Sequence, residues 1–136
     1  MIDFEIENKL ITPDELHEFE LETGVSLPQD YKEYLLKYNG GSPLSYYLYF
    51  GEPDEGILLS GFKSIKYGAS LVEQKDYLPP KHLSIGYTET GYLAMSLDEK
   101  EYGNIFIYYS EAELKLLAPS FTKFLEGLVD YTHLFE

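Results

Sequence analysis

The segment Leu27-Pro28-Gln29-Asp30-Tyr31-Lys32-Glu33-Tyr34-Leu35, running on to Tyr38-Asn39-Gly40-Gly41, constrains the fold more than any other part of the chain. Proline has a fixed φ and no backbone N–H, so Pro28 suits the first turn of a helix and no later position. Tyr31, Tyr34, Leu35 and Tyr38 then recur at i, i+3, i+4 and i+7, which places them on one helical face. Asn39-Gly40-Gly41 tolerates the left-handed backbone that ends a helix. A face this aromatic calls for a second layer to cover it.

Just upstream, Thr12-Pro13-Asp14-Glu15 reads as a helix start: Thr12 caps, Pro13 takes the first helical position, and Glu15 completes a capping box. Ile11 and Leu16 form its hydrophobic staple, Leu16, Phe19 and Thr23 share a face, and Gly24 suits the exit. With only Val25-Ser26-Leu27 between them, the two helices are expected to form a hairpin. From Ser42 to Asn104 frequent Gly and Pro separate short β-type runs. Strands are expected at 46–50, 56–59, 83–87, 92–97 and 105–109, with 88–91 a turn and one or two helical turns at 69–75. Ser110 with Glu113, and Tyr109 with Leu114, repeat the helix-start signals until Pro119 interrupts. A last helix then presents Phe121, Phe124, Leu125 and Leu128. The expected fold is α+β: an N-terminal helical hairpin, a central, mainly antiparallel sheet of four to six strands, and a C-terminal helix packed on it. The length of 136 residues suits one domain over residues 1–136.

Charge narrows the partners. Twenty-four acids face ten bases for a net charge of −14, and all ten bases are lysine. Nucleic acids and anionic membranes are bound through Lys and Arg, so neither is an expected partner, whereas a negative surface steers basic ones. The absence of Cys removes disulfides and thiolate metal sites. The acidic start Met1-Ile2-Asp3-Phe4-Glu5 lacks the features of a signal peptide, and no stretch approaches the roughly 20 apolar residues of a membrane span, so a cytoplasmic protein is expected.

Local signatures of catalysis fail one by one. His17-Glu18 opens like a metalloprotease helix, but Leu21 stands where the second His belongs. Gly68-Ala69-Ser70-Leu71-Val72 has Val72 in place of the closing glycine of a nucleophile elbow. Gly40-Gly41 lacks the Lys and Ser/Thr of a phosphate loop, and Glu52, Asp54 and Glu55 are too few oxygen ligands for a calcium loop. His17, His82 and His133 are too far apart in sequence for a zinc pattern. No catalytic residue, metal or cofactor is expected.

The run from Leu27-Pro28 through Asp30-Tyr31 to Asn39-Gly40-Gly41, after an acidic helix ending in Gly24, resembles the SUKH superfamily in its cell-wall-assembly-regulator and killer-toxin-resistance branch. Ser120-Phe121-Thr122-Lys123-Phe124-Leu125 is similar to that family's closing helix, and the likeness spans about Thr12 to Val129. The resemblance implies an α+β domain that, in bacteria, neutralises a cognate secreted toxin, often a nuclease, by binding it. Fungal relatives imply the alternative, a regulatory interaction scaffold. Two surfaces are candidates for such a partner. One is the acidic stripe Glu15, Glu18 and Glu22; the other is Tyr47 and Tyr49, on one side of their strand, followed by Glu52, Asp54 and Glu55. Tyr46, Leu48 and Phe50 are expected on the other side.

Overall fold

The computed structural model describes residues 2–109 and 113–135. Both early helices form where their signals stand. Helix α1 spans Pro13–Thr23: the Thr12 side chain accepts from the Glu15 N–H, the Glu15 carboxylate accepts from the Thr12 N–H, and Gly24 ends the helix at φ 70°. Helix α2 spans Gln29–Tyr38 with Pro28 at its N-cap, buries Tyr31, Tyr34, Leu35 and Tyr38, and touches α1.

Ahead of α1, strand β1 (Phe4–Glu5) pairs with β2 (Ser42–Pro43) just after α2. The main sheet contains β3 (Leu48–Phe50), β4 (Ile57–Phe62), β5 (His82–Thr88), β6 (Tyr92–Ser96), β7 (Ile105–Tyr108), β8 (Lys115–Ala118) and β9 (Leu128–Asp130). Its order is β8-β7-β6-β5-β4-β3-β9, with every neighbouring pair antiparallel. Helix α3 (Phe121–Glu126) carries the chain from one edge to the other, and α4 (Thr132–Phe135) follows β9. Laid flat, the distance between the edge strands would be about 29 Å at about 4.8 Å per strand. The link from Ala118 to Leu128 reaches about 25 Å, because its helical residues rise only about 1.5 Å each. The sheet must therefore curl, and register shifts at Leu59/Gly61, Ser84/Gly86 and Ile105/Phe106 provide local bends.

The inner face of the curl holds the core. Leu83, Ile85, Leu93, Met95 and Ile105 meet the aromatic faces of α2 and α3. Phe62 of β4 lies against Phe4, Tyr34 and Phe121 with ring centroids 5.2–5.7 Å apart, and Phe50 stacks on Phe124 at 4.9 Å. Each such side chain contributes on the order of 2 kcal/mol through burial. On the outer face, Leu78, Ala94 and Tyr108 form a smaller cluster covered in part by Leu114.

Four expectations need correction. The sheet has seven strands instead of four to six. The helix expected from Ser110 to Ala118 is strand β8 over Lys115–Ala118, because pairing with Ile105, Phe106 and Ile107 outweighs the local start signal, whose Ser110 lies outside the described residues. Residues 69–75 form no helical turn; Leu71 and Glu73 bridge to Ser64 and Ser84 and lay the segment against the sheet. Leu128, expected on the last helix, begins β9 after Gly127 ends α3.

The helix-two motif is absorbed by these contacts. Asn39 is fully buried at φ 41°; its Nδ2 donates to the Lys9 and Ile65 carbonyls at 2.9 and 3.0 Å, and its Oδ1 accepts from the Ile65 N–H at 2.8 Å. Gly41, at φ 94°, passes so close to β1 that a Cβ would stand 2.8 Å from the Glu5 carbonyl. Asp30 accepts from the Thr122 N–H and hydroxyl at 2.9 and 2.8 Å, tying the start of α2 to the start of α3. The Tyr31 hydroxyl, by contrast, is buried with no hydrogen-bond partner among the described residues, and burial pushes its pKa up. Two substitutions should therefore act in opposite directions in urea unfolding. Asn39→Ala, which orphans buried backbone groups, should lower stability by about 3 kcal/mol, while Tyr31→Phe should leave it unchanged or raise it by about 1 kcal/mol.

Candidate functional site

The two expected surfaces lie on separate elements. On α1, Glu18 and Glu22 are exposed and, with the half-buried Phe19, border a groove of about 350 Å³ shared with Leu71 and Val72. Glu15 is different. Its carboxylate pairs with Lys66 Nζ at 2.8 Å, accepts from the Tyr67 hydroxyl, and closes the capping box. Lys66 first, then Tyr67 and the Thr12 N–H, hold its pKa at about 2. It therefore joins α1 to the loop at residues 66–67, and Glu18 and Glu22 are left as the outward acids of the stripe.

The second group is drawn together by the sheet. β3 lies between β4 and β9, with Tyr49 opposite Leu58 on one side and Val129 on the other. Leu48 is buried and Phe50 stacks on Phe124, so alternation turns Tyr49 to the outer side; Tyr47 stands in the turn just before the strand, and both tyrosines are half-buried. Tyr46 departs from the expected pattern: it precedes the strand and is 90% exposed. Glu52, Asp54 and Glu55 are exposed in the turn that follows β3.

Sequence reasoning missed what β9 adds. The Tyr131 ring meets Tyr49 edge-on at 6.0 Å, its hydroxyl donates to the Gly51 carbonyl at 3.3 Å, and its N–H donates to the Tyr47 carbonyl at 2.9 Å. Val129 and Leu134 beside it are exposed. Asp130 accepts from Ser45 and Thr132, which lowers its pKa and fastens the start of α4 to the segment before β3. The missed signal was Gly127, which ends the helix and leaves Leu128-Val129-Asp130 as a short β-type run. The result is a patch of tyrosines with carboxylates in the adjoining turn.

No three His, Asp or Glu side chains converge as a metal site among the described residues. His82 is buried with Nδ1 at 2.9 Å from the Pro80 carbonyl, while His17 and His133 are exposed on α1 and α4. Among the described residues no helix is long and apolar enough to cross a membrane.

The fold is thus a small α+β domain with α2 and α3 over one face of a curled antiparallel sheet and a tyrosine-rich patch at one sheet edge. The model of the SMI1 / KNR4 family (SUKH-1) matches residues 10–127, and the chain belongs to that family. No curated protein and no solved structure gives a significant match.

The Glu15 contacts predict a pH effect. A carboxylate whose pKa falls on folding stabilises the fold fully above its unfolded value, 4.5, and that stabilisation is lost as pH falls toward about 2. Thermal unfolding between pH 5 and about 2 should therefore show a smaller decline for Glu15→Gln than for the parent chain.

Proposed function

We propose that this chain is a single-domain cytoplasmic immunity protein that binds and neutralises a cognate secreted toxin, held through the acidic tyrosine patch on β3, the turn after it and β9. Membership of the SMI1 / KNR4 family (SUKH-1) supports an interaction role over a catalytic one. The observation that supports the choice of surface is the outward side of Tyr49, with the half-buried Tyr47 and Tyr131 beside it, directly before the exposed Glu52, Asp54 and Glu55. Tyrosine offers large contact area at small entropic cost, and the carboxylates steer a basic partner toward it. Glu18 and Glu22 lie on α1 and add to the same attraction at longer range; Glu15 is committed to Lys66.

The test partner is the cognate toxin that the proposal requires, sought among the products of the neighbouring genes. Glu52, Asp54 and Glu55 changed together to Lys should slow association about tenfold and flatten its salt dependence, because rim charges act mainly on the on-rate. Tyr49→Ala should leave association nearly unchanged and speed dissociation about tenfold. Kinetics unaffected by either change would rule out this surface. Failure of co-expression to rescue growth, together with capture of several unrelated proteins from the native host, would replace immunity with a regulatory scaffold.

A further inference from the structure

Away from the tyrosine patch, the outer face of the sheet holds a lysine in an uncommon setting. Lys63 follows Phe62, so its side chain leaves the opposite side of β4 from the core, yet it is only 7% exposed. Its Nζ donates to Ser84 Oγ at 2.8 Å, and Ser84 Oγ lies 2.8 Å from the Tyr108 hydroxyl. An ammonium has three protons and no acceptor capacity, and Ser84 Oγ is its one acceptor among the described residues. The adjacent carboxylate Glu73 is paired with Lys75, which itself repels Lys63. Burial first, then that repulsion, outweigh the attraction of Glu73 and hold the Lys63 pKa below its ordinary value; Glu73 makes its ion pair with Lys75 and not with Lys63.

Beside Lys63 lies a hollow of about 430 Å³ that it lines together with Ser70, Tyr87, the 88–91 turn and Tyr92. We propose that this hollow is a carboxylate-binding site in which Lys63 donates its spare N–H groups to the bound oxygen atoms. A carboxylate brings one charge and acceptor oxygens, which match one buried cation. A phosphate dianion would bring excess charge toward Glu89, which also lines the hollow. The strongly negative chain disfavours anions elsewhere, so a single desolvated lysine can confer selectivity.

NMR titration of the folded chain provides the test, with acetate, inorganic phosphate and chloride at equal ionic strength. Two capped peptides, Gly-Glu-Gly and Gly-Gln-Gly, distinguish a protein carboxylate from a free one. Acetate should shift the Lys63 side-chain and Gly91 amide signals saturably; chloride should not, and phosphate should do so more weakly. Binding of the Glu peptide but not the Gln peptide assigns the site to a protein side chain, and acetate binding alone assigns it to a small carboxylate. Lys63→Met should abolish the shifts, and Glu89→Gln, an exposed change that leaves the fold intact, should tighten binding about threefold. No saturable shift with acetate, phosphate binding as tight as acetate, or Glu89→Gln without effect would each overturn the proposal.

Discussion

The buried side chain of Asn39 joins three parts of the chain that are distant in sequence. It ends α2 in the left-handed region, holds the Lys9 carbonyl ahead of α1, and takes both the N–H and the carbonyl of Ile65 beyond β4. Phe62 and Gly41 are placed by the same junction, since the Phe62 N–H donates to the Gly41 carbonyl at 2.9 Å. Phe62 in turn is the ring on which Phe4, Tyr34 and Phe121 converge. A polar side chain satisfied on all sides in a buried site specifies one arrangement, because any shift leaves several backbone groups unpaired.

That dependence explains which parts of the fold were readable in advance. The helices α1 and α2 follow from cap chemistry and a 3.6-residue period, both local, and the structure agrees with them to within a residue or two. The five expected strands are present, with shifted ends, because two-residue alternation and turn residues are local signals too. What could not be read was decided by distant pairing. Lys115 to Ala118 carries no strong strand signal and becomes β8 only because β7 offers it an edge. Leu128 to Asp130 becomes β9 because the curled sheet brings the β3 edge within reach of α3.

The same distinction applies to the sites. The residues that carry the family likeness, Asp30, Asn39, Gly40 and Gly41, are held inside the fold or bond across it. They report architecture and are silent about the partner. The candidate surface comes from side chains with little sequence signature: Tyr131 and Val129 meet Tyr49 only through strand pairing. Glu15 shows the limit of reading charge from a helical stripe, since one of the three acids on that face is engaged in an internal ion pair and the other two are exposed. Lys63 is a similar case, an ordinary lysine in the sequence and a buried, under-satisfied donor in the fold.

The helix junction around Asn39 builds the fold, and under the proposed function the β3–β9 edge meets the partner. Hydrogen exchange of the chain, free and bound to the cognate toxin of the proposed function, tests this division of roles most directly. Added protection should be concentrated at residues 46–55 and 128–134, with α2 and residues 39–41 equally protected in both states. Protection confined to α2 and the groove it forms with α3, with the β3–β9 edge unchanged, would contradict it.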